Sequence, residues 1–177
     1  ASFLKGGFGG ASAVDDVAVK AMGTRGSRNI VPLTPAQRLQ VLEDAKAIGL
    51  DPNDIRFFSG SQGTVYSDLL DKIIVGADVF PRGGTPVLGT RSVFDRLTAR
   101  TVLAHEAGHM MAARNGISFR AGSLMEEFQA SVLGARHTPG LALFERFQLL
   151  RDAIERARIS GVDWRTLRSQ LRTLPGG

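Results

Sequence analysis

A chain of 177 residues, 43% hydrophobic and 22% charged, can bury one sizeable core and is near the upper end of the usual size for one domain. It has no cysteine, which excludes a disulfide framework, a thiolate nucleophile and a cysteine-ligated zinc site, so any metal must be held by histidine and carboxylate. The net charge of +5 rests mainly on arginine, with Arg151, Arg156, Arg158, Arg165, Arg168 and Arg172 crowded near the C-terminal end. Asp152, Glu155 and Asp163 are interspersed and no aromatic platform accompanies them, so the expectation is a solvated helix face without nucleic-acid binding.

In chain order, residues 1–33 are rich in Gly, Ser and Ala and show little periodicity. They read as a loosely ordered lead-in with one short helix around 14–22, and 34–177 as the domain proper. The first residues lack the apolar segment of a signal peptide, and no apolar run is long enough to span a bilayer. Thr34 followed by Pro35 opens a helix with Leu39, Leu42 and Ala45 on one side and Gly49 as its stop. The stretches I-R-F-F-S (55–59) and K-I-I-V-G-A-D-V-F (72–80) have strand character, separated by the turn-rich G-S-Q-G, and 81–84 is a loop. Ser92 with Asp95 has the spacing of a capping box, and nothing then breaks a helix until Asn115 and Gly116. Helices over 123–136 and 141–160 follow, then a short one opening at Asp163. The class is therefore α+β, mostly helical with a small sheet.

Inside the long helix stands T-V-L-A-H-E-A-G-H (101–109), which holds two of the three histidines. Residues four apart on a helix project from one face a turn apart, so His105 and His109 can reach one ion together. Glu106 is rotated about 100° from His105, where it can take a proton from water at the metal without capping the metal. By chance H-E-x-x-H arises in a chain of this size well under about 1% of the time at ordinary composition, so the motif outweighs coincidence. Its apolar flanks, Val102, Leu103, Ala104, Met110 and Met111, make three unpaired polar groups costly unless a ligand satisfies them. Gly108 costs about 1 kcal/mol against alanine inside a helix and marks a close approach.

At these residues the sequence resembles the zincin metallopeptidases, which carry H-E-x-x-H on their metal helix. The metzincin extension requires glycine at 112 and histidine at 115, and this chain has Ala112 and Asn115. The gluzincin pattern places a third, glutamate ligand on a following helix, where this chain offers Glu126 and Glu127. Glu127 shares a face with the small residues Ala130, Ser131 and Gly134, which would let that helix lie close to the metal helix. Glu126 shares its side with Gln129, Leu133 and Arg136, a more solvent-like set, so Glu127 is the expected ligand. E-x-x-A-S also resembles gluzincin patterns in which the residue four after the glutamate supports a zinc histidine. Ser131 stands there, a weaker partner than aspartate.

The resemblance implies a zincin-like fold with the sheet packed on the H-E-x-x-H helix, and Zn2+ held by His105, His109 and Glu127. It further implies peptide-bond hydrolysis in a protein or peptide substrate with Glu106 as general base. The developing oxyanion needs a further donor, for which His137 and Tyr66 are the candidates. In zincins an edge strand before the metal helix pairs with substrate, and 72–80 occupies that place, although its continuous apolar run also suits a central strand. Small zincin domains of this kind resemble the C-terminal toxin modules of bacterial polymorphic toxins and secreted effectors. That context implies a carrier scaffold, a cognate immunity protein and delivery into a target cell without a signal peptide of its own. The competing contexts are a cytosolic regulatory peptidase that cleaves a repressor and a zinc-stabilised binding module without catalysis. Glu106 argues against the binding module, because a structural site has no need of it.

Overall fold

The computed structural model describes residues 28–61, 63–84, 94–117 and 122–173. The helix expected around 14–22 lies outside them, as does Ser92. Five helices and a three-stranded sheet are present among the described residues: α1 (Pro35–Ala47), β1 (Ile55–Phe57), β2 (Val65–Ser67), β3 (Lys72–Val75), α2 (Ala99–Arg114), α3 (Leu124–His137), α4 (Leu143–Ile159) and α5 (Trp164–Thr173). None of these helices is long and apolar enough to cross a membrane.

Residues 28–33, assigned to the lead-in by composition, are tied into this body. The Arg28 side chain is buried and donates to the carbonyls of Asp78, Val79 and Leu97, and Leu33 joins the core. Helix α1 begins as expected, with a reciprocal cap between Thr34 and Gln37, and Gly49 closes it at φ +81°. Its buried face is Val41 and Ala45 with Leu42 beside them, whereas Leu39 is exposed. Val41 and Ile48 therefore belong to the buried side and Leu39 does not.

The sheet differs from the expectation in one respect that matters for the site. Its order is β1-β3-β2, with β1 parallel and β2 antiparallel to β3. The strand expected over 72–80 stops at Val75 and turns into a 3-10 helix, Ala77–Val79, and it is central, not the edge. Its Ile73, Ile74 and Val75 are buried, as a two-sided apolar run requires. The edges are β1 and β2, and β2 is not among the strands expected from the sequence.

Helix α2 starts later than the Ser92–Asp95 spacing suggested. Asp95 sits in a separate 3-10 turn, Phe94–Arg96, and Thr98 caps α2 by accepting the Thr101 N–H. Helix α3 starts at the expected serine, with Ser123 accepting the Glu126 N–H. Helices α2 and α3 cross in near contact in opposite directions. A Cβ added to Gly108 would stand 1.9 Å from the Ala130 carbonyl oxygen, and one added to Gly134 would stand 2.2 Å from that of Ala104. Glycine is required at both places because the two backbones occupy the space of a side chain. This contact fixes which face of α3 meets the histidines.

Candidate metal centre and its cleft

The site is built where α2 and α3 touch. His105 and Glu106 are buried on α2, Glu127 is buried one turn into α3, and His109 is largely covered, with 11% of its side chain exposed. One ligand atom from each of His105, His109 and Glu127 can be chosen so that all lie within 4.8 Å of one another, a group that could hold a metal ion. His105 Nε2 is 3.1 Å from Glu127 Oε2, and His109 Nε2 is 3.4 Å from Glu127 Oε1. The two imidazoles meet edge to face with centroids 4.9 Å apart. The small-residue face of α3 thus delivers Glu127, as the wheel argument expected.

The opposite side of α3 differs from the expectation. Gln129 and Leu133, taken as solvent-like companions of Glu126, are both buried. Glu126 and Gln129 line one cleft, and the carboxylate grouped with the histidines is that of Glu127, so Glu126 stands outside the ligand group by direction and not because it faces open water. It is half-buried, its Oε1 lies 3.8 Å from His109 Nδ1, and its Oε2 accepts the Gly122 N–H. Burial raises its pKa, with His109 and the Gly122 bond opposing.

Behind the ligands lies a second set of residues. Ser131 Oγ is 2.8 Å from His105 Nδ1 and donates to Asp152 Oδ2 at 2.7 Å. Because the single hydroxyl proton goes to Asp152, Ser131 accepts the Nδ1–H of His105, which turns the Nε2 lone pair toward Glu127 Oε2. Two acceptors facing each other at 3.1 Å require a cation or a second imidazole proton between them. Two imidazole nitrogens and one carboxylate oxygen are the donor set of a divalent zinc-type ion, so the residues present fit such a metal.

Arg156 completes the arrangement. It donates to Asp152 Oδ2 at 2.7 Å and lies 2.7 Å from Glu127 Oε2. Burial would push the Glu127 carboxyl up, but Arg156, His105 and His109 outweigh it and hold the group well below the ordinary carboxylate range. The sequence reading placed Asp152 and Arg156 on a solvated face, and both are buried, whereas Arg151, Arg158, Arg165, Arg168 and Arg172 are exposed. A signal was present: Leu149, Asp152, Ala153, Arg156 and Ala157 follow the i, i+3, i+4, i+7, i+8 spacing of one buried stripe.

Glu106 faces the sheet. Its Oε2 accepts the backbone N–H of Tyr66 at 2.9 Å, so the general-base candidate is pinned to the edge strand β2. The Tyr66 hydroxyl donates to Asp71 Oδ1 at 2.9 Å, and burial and Asp71 push its pKa up to about 12, so it keeps its proton at neutral pH. Tyr66 also lines, with His109, a cleft of about 370 Å³. His137 is not brought to this cleft. It ends α3, ten residues and about 15 Å of helix beyond Glu127, and lines a separate cavity of about 190 Å³ with Ile48, Met110 and Pro139.

Fold and site together define a mixed α/β protein with a buried His/His/Glu group on two tightly crossed helices. No family model, curated protein or solved structure matches the chain.

Proposed function

We propose that the chain is a zinc-dependent metalloendopeptidase of zincin type that hydrolyses peptide bonds in a protein substrate. The observation that carries this reading is the conjunction of a buried His105–His109–Glu127 group with a neighbouring buried carboxylate, Glu106, beside a cleft that opens at His109. A site that serves stability alone needs ligands but no such carboxylate.

His105, His109 and Glu127 hold the metal, which when bound supplies Lewis acidity and lowers the pKa of water in the site. Ser131 and Asp152 fix the His105 tautomer, and Arg156 orients Glu127. Glu106 takes one proton from the attacking water at its carboxylate as the C–O bond forms, and returns it to the departing amine as the C–N bond breaks. The Tyr66 N–H holds Glu106 Oε2, which orients the base relative to β2. The Tyr66 hydroxyl lines this cleft, is still protonated at neutral pH, and would serve the developing oxyanion by turning its proton from Asp71.

Metal content and cleavage of an unstructured protein such as casein, measured for the intact chain and for Glu106→Gln, test the reading. We expect about one zinc per chain in both proteins and cleavage only in the first. Zinc without cleavage in the intact chain would favour a binding module instead.

A further inference from the structure

The cleft beside His109 has a charge opposite to that of the chain. The protein as a whole carries +5. Around the cleft stand three carboxylates, Asp68, Asp71 and Glu126, with Arg114 as the one arginine or lysine in the lining. Arg114 is already matched, because it binds Asp71 and, outside the cleft, Asp54 at 3.0 and 3.1 Å. Asp71 also accepts a hydrogen bond from the Tyr66 hydroxyl. Asp68 is exposed and meets no cation among the described residues, and Glu126 meets only backbone and the edge of His109. The uncompensated charge is therefore negative and lies next to the candidate metal group.

A second, independent feature points to a ligand in the same place. Gln129 lines the cleft, is only 1% exposed, and its Nε2 is buried with no hydrogen-bond partner. A buried amide left unsatisfied costs about 1–3 kcal/mol, which a bound polar group would relieve. That amide N–H lacks an acceptor, which a carbonyl oxygen of a bound peptide would supply. Ala112, Ala113 and Ile117 supply apolar wall between these polar points. A long aliphatic stem with a cationic head matches that sequence of surfaces, and about 370 Å³ accommodates one such side chain.

We propose that this cleft is the specificity subsite for an arginine or lysine side chain of the substrate next to the scissile bond, with Asp68 and Glu126 binding the cationic head and the Gln129 amide donating to a carbonyl of the same substrate. The proposal rests on the peptidase reading for the word substrate, but the binding it requires can be measured without catalysis.

The test uses two probes that differ only in charge, Nα-acetyl-arginine amide and its neutral isostere Nα-acetyl-citrulline amide. Their binding to the zinc-loaded chain is followed by NMR shifts of the cleft residues, beside cleavage of matched arginine and citrulline peptides. We expect the arginine probe to bind at least tenfold more tightly, the preference to fall with added salt, and Asp68→Asn with Glu126→Gln to remove it while the fold, read by circular dichroism, is kept. Cleavage should show the same preference in kcat/KM. Equal binding of the two probes, or a preference that survives the double substitution, overturns the subsite even if peptides are cleaved. A charge-dependent preference lost in the double variant, with no peptide cleaved, sustains the subsite and removes the peptidase reading.

Discussion

Gly108 of α2 lies against Ala130 of α3 so closely that a methyl group at Gly108 would stand 1.9 Å from the Ala130 carbonyl oxygen. This contact sets the distance between the helix that carries His105 and His109 and the helix that carries Glu127. A larger residue would move the third ligand away from the first two.

Gly108→Ala is accordingly expected to destabilise the chain. Alanine gains about 1 kcal/mol of helix propensity. Overpacking against backbone costs about 1–3 kcal/mol or more, and here the obstructing atoms belong to a buried helix and cannot swing aside. A net fall in Tm of several degrees, with weaker zinc binding, should appear in thermal melts and chelator competition. An unchanged Tm would mean that the two helices are not in this contact.

Ser131→Ala should weaken zinc binding about 10–100-fold while leaving all three ligands in place. The hydroxyl is the only link between His105 Nδ1 and Asp152, so its loss frees the ring to turn and leaves a buried carboxylate oxygen short of a partner. Competition with a chelator of known affinity measures the change. Equal affinity would show that the tautomer of His105 is set by something else.

How far the sequence discloses this site follows from the range of the interactions involved. His105, Glu106 and His109 are legible because a single helix turn relates them, and Glu127 because small residues repeat at its own helical period. The start of α2 differs from the expectation because a cap motif four residues long competes with tertiary contacts, and Thr98 caps the helix with help from Thr101. Strand β2 carries three residues in a polar stretch, and part of its anchoring comes from Asp78, which takes both the N–H and the hydroxyl of Thr64, and from Glu106. Such anchors come from 14 and 40 residues away and leave no local period. Arg156 was legible in principle, since its stripe is periodic, but its charge pointed to water.

Arg156→Met should expose what that arginine does for the metal-free protein. Removing one partner of a buried ion pair typically costs about 3–5 kcal/mol, because the remaining charge stays buried. Glu127 would then face two imidazoles without its guanidinium. We expect the variant to unfold at much lower urea than the parent in chelator and to recover part of the difference at saturating zinc. Equal midpoints in chelator would contradict the role assigned to Arg156.

A pH effect should arise outside the metal group. Arg114 binds Asp54 and Asp71, joining α2 to the turns that flank the sheet. Burial raises the Asp54 pKa, but Arg114 and Lys72 together outweigh it, and Arg114 with Tyr66 lowers that of Asp71. Carboxylates with lowered folded values stabilise the fold above the unfolded value, near pH 4, and lose that contribution as pH falls through the folded one. Arg114→Met should therefore have a lower Tm than the parent at pH 7, with the gap narrowing as pH falls below about 4. A gap that does not change with pH would assign the arginine's effect to packing.

The most direct test of the account is a zinc titration of the metal-free chain by calorimetry, beside Glu127→Ala and Glu126→Ala. The account predicts one site per chain in the parent and in Glu126→Ala, and a loss of affinity of at least a hundredfold in Glu127→Ala. A parent that binds no zinc, or a Glu127→Ala variant that binds it as tightly as the parent, would contradict the metal centre at its root.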